Sequence, residues 1–134
     1  MFQTLETLTE LQHFELVLDA TYIEDTGLGL IVGKLFDFEK LETLILTLRE
    51  TKISTGDGLR KLSNVFQSLT NLKTFNIELY DTETNSESVI NLLNSLTKCK
   101  KLEKLFLGLG ETNIFDSLKP IGKILTSFKK LKSF

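Results

Sequence analysis

One apolar pattern occurs four times along this chain and limits the possible folds more than any other feature. Each copy reads apolar-x-x-apolar-x-apolar-x-apolar, and the leading leucines follow one another at intervals of 30, 31 and 30 residues. A fifth copy begins 29 residues later with Leu131-x-x-Phe134. Such a fixed interval predicts a stack of similar units of about 30 residues each. The full copies begin at Leu11, Leu41, Leu72 and Leu102.

Each unit combines two periods. The stretch Phe14-x-Leu16-x-Leu18 alternates with period two, which predicts a strand with these three side chains on one face. The second half has apolar residues three or four apart, which predicts a helix. The predicted buried helix positions are Leu28, Ile31, Leu35, Phe38; Leu59, Leu62, Phe66, Leu69; Val89, Leu92, Leu96, Cys99; and Leu118, Ile121, Leu125, Phe128. Cap-type residues predict helix starts at Asp25-Thr26, Thr55 with Asp57, Asn85-Ser86 and Asp116-Ser117.

A threonine recurs just after each predicted strand. It stands at Thr21, Thr51, Thr82 and Thr112, and an isoleucine follows two residues later in every unit except the third, which has Thr84. We expect each hydroxyl to bond backbone groups of the neighbouring unit, because the chain has left the sheet there and its polar groups need partners.

These residues carry a family resemblance. Leu16-x-Leu18-x-x-Thr21-x-Ile23 resembles the leucine-rich repeat signature L-x-L-x-x-N-x-L, with threonine in place of asparagine or cysteine. The repeat length is similar to the ribonuclease-inhibitor-like subclass, and the longer L-x-L-x-L strand resembles repeats of protists, ciliates in particular. The resemblance implies an α/β right-handed solenoid of about four repeats, with a parallel concave sheet and helices on the convex face. The single domain, 1–134, would comprise a partial repeat at 1–10, repeats at 11–40, 41–71, 72–101 and 102–130, and a truncated repeat at 131–134.

Composition and charge exclude several classes of protein. A lone cysteine rules out an internal disulfide framework or a cysteine-rich zinc module. The first residues lack the pattern of a secretory signal, and no apolar run approaches the roughly 18 residues that would span a bilayer. We therefore expect an intracellular protein, in the cytoplasm or in a cytoskeletal or ciliary assembly. Residues 1–97 carry a net charge of −8 and residues 98–134 one of +6, a polarity that could orient a partner.

The ends of the predicted stack lack the polar capping units that such folds normally need. We expect Leu105, Leu107, Ile114, Ile121 and Leu125 to face solvent on one side. The sequence thus favours a piece of a longer array, or an end covered by another subunit. The alternative is that the truncated fifth strand is sufficient as a cap.

The strand residues that alternate with the core leucines predict a binding surface on the concave face. Arg49 would lie between Asp19 and Tyr80, able to pair with the first and to stack on the second. Arginine and aromatic anchors in a mixed surface suit a protein partner, although such residues can also simply solvate a face. The predicted binding residues are Glu15, Val17, Asp19, Ile45, Thr47, Arg49, Asn76, Glu78, Tyr80 and Phe106.

A second candidate surface is basic. Its lysines fall at the same helix-to-strand corner of two successive units and could meet an acidic protein surface. They could equally complement helix dipoles and keep the protein soluble. No arginine or interleaved aromatic residue accompanies them, which makes nucleic acid a poor candidate. This basic rim comprises Lys98, Lys100, Lys101, Lys104, Lys129, Lys130 and Lys132.

Catalytic chemistry finds little support in the sequence. His13 is the only histidine and occupies a surface strand position, whereas Cys99 occupies a helix core position. The glycine pairs at 27–29 and 56–58 lack the lysine and serine or threonine of a phosphate-binding loop, and the acidic residues show no metal-ligand spacing. We therefore predict no enzyme activity, cofactor or metal.

The sequence as a whole favours a noncatalytic protein-binding or structural element within a longer chain or a larger assembly, without a membrane partner. Two alternatives remain open. One is the substrate-recognition arm of a ubiquitin-ligase or signalling protein. The other is a small enzyme whose catalytic groups come from a partner.

Overall fold

The computed structural model describes residues 9–54, 56–112, 114, 118–128 and 130–132. Within these ranges four β-strands alternate with four α-helices along the chain. The strands are β1 (His13–Val17), β2 (Thr43–Thr47), β3 (Thr74–Glu78) and β4 (Lys104–Gly108). The helices are α1 (Asp25–Gly33), continued by a 3₁₀ helix (Lys34–Asp37), α2 (Asp57–Val65), α3 (Ser86–Leu96) and α4 (Leu118–Leu125).

The strands form one parallel sheet in the order β1-β2-β3-β4. Leu46 pairs with Leu16 on one side and with Ile77 on the other, so residues 30 or 31 apart in sequence are neighbours in space. The prediction from the repeat interval is confirmed for this register. Backbone hydrogen bonds extend the ladder beyond the strands, as from Leu48 N to the Glu78 carbonyl at 2.8 Å.

The core lies between the sheet and the helices. In β2, Leu44 and Leu46 are fully buried while the alternating residues between and beside them are half-buried. Phe66 of the segment after α2 packs edge-on against Phe75 of β3, with ring centroids 5.1 Å apart. Apolar side chains from the strands of one unit therefore pack against helices of the same and adjacent units, and burial of this surface holds the layers together.

The predicted helix core positions are buried in α2 and α3, but α1 departs from the prediction. Val32 is fully buried, whereas Ile31 is only half-buried. Within the described residues only α2 flanks α1 among the helices. The chain also tightens into a 3₁₀ helix immediately after α1, with about three residues per turn. The buried stripe of this segment therefore consists of Leu28, Val32 and Leu35.

The recurring threonines bind within their own unit, so the prediction of a bond to the neighbouring unit is wrong. Each hydroxyl donates to the carbonyl of the leucine three residues earlier, at 2.6 to 2.8 Å. The residue before each threonine has a left-handed backbone, with φ between 51° and 57°, which folds the threonine back onto that carbonyl. Bonds between units at this level come from the backbone instead, as from Glu50 N to the Tyr80 carbonyl at 2.9 Å.

Thr84 stands where the other units have isoleucine, and its polar group has a partner. Its hydroxyl lies 2.8 Å from that of Thr82, and both side chains are buried. A buried hydroxyl that is hydrogen-bonded costs little compared with one left without a partner.

We expect Thr51→Val to lower the free energy of unfolding by about 1 kcal/mol, because it removes one buried hydrogen bond while keeping the side-chain shape. Thr21 makes the same bond at an exposed position, and Thr21→Val is the matched control with a smaller expected loss. Urea denaturation of both variants measures the difference. Equal losses would mean that burial does not set the strength of this bond.

The start of α2 is capped from the preceding unit. Asp25 accepts a hydrogen bond from Ser54 N at 2.9 Å and from Gly58 N at 3.1 Å, and its side chain is buried. Gly56, the residue before α2, has φ 83° and supplies no side-chain cap. The predicted helix start at Asp25 is confirmed, and the carboxylate of Asp25 in addition joins two units. Of the other predicted starts, Asn85 caps α3 by accepting from Ser88 N, and Thr55, Asp116 and Ser117 lie outside the described residues.

The last described unit is more covered than the sequence predicts. Leu105, Ile114 and Ile121 are buried, with exposed fractions of 2%, 7% and 6%, whereas Leu107 and Leu125 are half-buried as expected. Phe128 and Leu131 pack against this core, and Lys132 N donates to the Glu103 carbonyl at the level where the next strand would begin. The start of the fifth unit thus covers part of the fourth.

Candidate binding surface

The side of the sheet turned away from the helices carries the predicted binding residues, and we call it the open face. Alternation along the strands sends Glu15, Val17, Ile45 and Phe106 to this side, opposite the core leucines. Val17 is 59% exposed and Phe106 is 51% exposed. The sheet register brings the predicted residues into adjacent columns, which are Glu15, Ile45, Asn76, Phe106; Val17, Thr47, Glu78, Gly108; and, just past the strands, Asp19, Arg49, Tyr80, Gly110.

Arg49 is held by two carboxylates. Its Nη2 and Nε lie 2.8 and 2.9 Å from Asp19 Oδ2, its backbone N–H donates to Asp19 Oδ1, and Nε lies 3.4 Å from Glu78. Burial would raise the pKa of Asp19, but the hydrogen bonds and charge of Arg49 outweigh it and lower that pKa below its usual value. The hydrogen bonds that Arg49 donates to Asp19 in turn raise the pKa of Arg49. The predicted pair with Asp19 is present, and it fixes the guanidinium in place.

Tyr80 contacts the following unit. Its hydroxyl donates to Glu111 Oε1 at 2.9 Å, and this hydrogen bond raises the pKa of Tyr80. The ring lies against Gly110, where an added Cβ would come within 2.9 Å of it. Glycine at this position makes room for the ring. The predicted stacking of Arg49 on Tyr80 stays a prediction.

A shallow depression on the open face joins three units. It is lined by Ile45, Asn76, Lys104 and Phe106, together with Thr74. Lys104 thus belongs to the open face as well as to the predicted basic rim. The repeat interval predicts this position, because it places Lys104 opposite Thr74 in the sheet register.

Two lysines of the basic rim contact side chains of the preceding unit. Lys101 donates to Asn71 at 2.7 Å and Lys132 pairs with Glu103 at 3.4 Å, each with a side chain of the preceding unit. Lys73 makes a comparable pair with Glu42. These lysines therefore link successive units. Lys129 lies outside the described residues, and the other lysines of the rim are all exposed: Lys98, Lys100, Lys101, Lys104, Lys130 and Lys132.

Sequence reasoning missed an acidic group beside the open face. Glu50, Asp81 and Glu111 occupy the left-handed position before three of the four recurring threonines and are exposed. Their spacing of 31 and 30 residues was the available signal, because a fixed interval places side chains in one column. We call these three residues the acidic edge.

Cys99 is buried at the helix core position, and its Sγ lies 3.7 Å from the Phe66 carbonyl. Burial raises the pKa of the thiol to about 12. We expect no reaction with a disulfide reagent at neutral pH in the folded protein and full reaction in denaturant, because the thiolate is the reactive form. Spectrophotometric thiol titration checks this, and rapid reaction under native conditions would contradict the burial.

His13 is exposed on β1.

Among the described residues, no helix has both the length and the apolar character needed to cross a lipid bilayer. Searches with protein-family models and against curated proteins found no match for the chain.

The chain is similar to a solved structure. The tropomodulin C-terminal domain from Caenorhabditis elegans matches with a TM-score of 0.62 and 14% sequence identity, over 96% of this chain and 89% of that one. Identity this low shows the fold alone, and the ribonuclease-inhibitor-like subclass stays a prediction. The parallel sheet, its register and this likeness together show that the chain has a fold of the leucine-rich-repeat type.

Proposed function

We propose that this chain is a noncatalytic protein-binding domain that engages its partner with the open face of the sheet. The observation that carries the proposal is the group of exposed apolar side chains there: Val17, Tyr80 and Phe106. They lie on or beside the strands of a hydrogen-bonded sheet, so little backbone entropy is lost when a partner covers them.

The fixed position of Arg49 supports the same proposal. Aromatic residues and arginine are enriched among the residues that contribute most to protein binding. Because Asp19 holds Arg49 before any partner arrives, the side chain need not be ordered on binding.

Quantitative affinity capture from a cell extract tests this proposal with two matched double variants. Val17→Ser with Phe106→Ser removes apolar surface from the open face, whereas Leu30→Ser with Phe36→Ser removes it from the helical side. We expect the open-face variant to lose the proteins captured by the unmodified chain and the helical-side variant to retain them, with both variants folded by circular dichroism. Loss confined to the helical-side variant would contradict the proposal.

A further inference from the structure

The charges around the open face indicate what kind of partner fits it. The acidic edge lies around one depression with Glu83 and a single lysine, Lys52. Glu50, Asp81, Glu83 and Glu111 are all exposed there. Four carboxylates and one ammonium group leave a net negative charge at this side of the open face.

The backbone fixes the acidic edge. Glu50 N donates to the Tyr80 carbonyl and Asp81 N to the Gly110 carbonyl, at 2.9 and 3.0 Å, so the three carboxylates follow the spacing of the strands. Adjacent strands lie about 4.8 Å apart, which keeps like charges close to one another. Such a row attracts cations more strongly than the same charges spread over the surface.

Basic groups on the open face do not cancel this charge. Arg49 is already neutralised by Asp19 and Glu78. Lys104 lies at the amino end of β4, whereas the acidic edge follows the carboxyl ends of the strands. Glu15 is exposed on the same face and adds to its negative charge.

Apolar surface lies beside the acidic edge. Tyr80 is 40% exposed and is bonded through its hydroxyl to Glu111, and Phe106 is exposed farther along the face. We propose that the open face and the acidic edge bind a lysine- or arginine-rich segment of a partner protein that also carries apolar side chains. This inference rests on the proposed function and specifies the charge of the partner. The charge is basic, whereas the basic rim suggested an acidic partner.

Fluorescence anisotropy with a defined probe tests whether the partner segment must be basic. The probe is a labelled peptide of lysines interrupted by phenylalanines, and its control has glutamate in place of every lysine. We expect only the lysine peptide to bind, with an affinity that falls as salt is added. Binding of the glutamate peptide or of anionic vesicles at equal or higher affinity would overturn the proposal.

Two triple variants of equal net charge locate the site. Glu50→Gln, Asp81→Asn and Glu111→Gln neutralise the acidic edge while keeping side chains that tolerate its backbone. The control variant is Glu24→Gln, Glu39→Gln and Glu87→Gln, at exposed positions elsewhere. We expect roughly tenfold weaker binding for the first, which is about 0.5 kcal/mol for each exposed charge, and less than twofold for the second. Equal weakening by the two triple variants would show that the peptide responds to net charge alone, and would overturn the assignment of the site to the acidic edge.

A single variant tests whether apolar side chains of the partner contact the open face. Phe106→Ser should weaken binding of the lysine–phenylalanine peptide and leave binding of an all-lysine peptide of equal charge unchanged. Equal effects on both peptides would contradict the apolar contact. If the lysine peptides do not bind while the affinity capture still depends on Val17 and Phe106, the basic class of partner is wrong and the proposed function stands.

Discussion

Replacing Leu46 with alanine is expected to lower the free energy of unfolding by about 3 kcal/mol, within the range found for buried leucines. Leu46 is fully buried and lies in register between Leu16 and Ile77, so the cavity would affect three units at once. Leu46→Asp should prevent folding, because an unpaired carboxylate would be buried in the core.

The matched control for this prediction is the preceding residue on the same strand. Ile45 points to the open face and is only half-buried, so Ile45→Ala should cost less than about 1 kcal/mol. Urea denaturation of both variants gives the comparison. Similar losses would mean that the two faces of β2 do not differ in burial, which would contradict a sheet with one face on the core.

Replacing Asp25 with alanine is expected to lower the free energy of unfolding by about 2 to 3 kcal/mol. The change leaves the N–H groups of Ser54 and Gly58 without their acceptor and removes the cap of α2. Asp25→Asn, which keeps one acceptor oxygen, should cause a smaller loss.

Hydrogen exchange of individual amides makes this prediction specific. In Asp25→Ala the amides of Ser54 and Gly58 should exchange faster, whereas Asp37→Ala, at an exposed site on the 3₁₀ helix, should change neither. Unchanged protection at both amides in the Asp25 variant would show that the bonds between these units are not made in solution.

The strands and their register could be predicted from the sequence because two periods agree. The alternation of Phe14, Leu16 and Leu18 defines the buried face, and a shift by one residue would expose all of them. The repeat interval then fixes which residues are neighbours, as for Leu46 and Ile77. Both signals are carried by apolar side chains, whose burial dominates the energetics of folding.

Polar contacts were harder to predict because several partners lie within reach of each group. The threonine hydroxyls turn to their own unit only because the residues before them adopt a left-handed backbone, at positions that hold Ala20, Glu50, Asp81 and Glu111. Asp25 looks like the cap of α1, yet its carboxylate reaches α2. Hydrogen-bond choice of this kind depends on backbone dihedrals that the apolar pattern does not specify.

The candidate site was predictable to the same degree. Its columns follow from the repeat interval, and the pair between Asp19 and Arg49 follows from their opposite charges at adjacent positions. The direction of the Tyr80 ring could not be predicted in this way, since it depends on the space above Gly110. The acidic edge was overlooked because its residues lie outside the alternating strand positions.

The stacking of units along the chain is the claim on which the rest depends, and methyl-resolved nuclear Overhauser spectroscopy tests it most directly. The parallel register predicts cross-peaks between Leu44 and Phe75 and between Leu48 and Leu79. Antiparallel pairing would instead connect Leu44 with Leu79 and Leu48 with Phe75, pairs that the parallel sheet separates by four residues along the strands, or about 13 Å. Observing the first pair of cross-peaks supports the stacked fold, and observing the second pair in their place would contradict it.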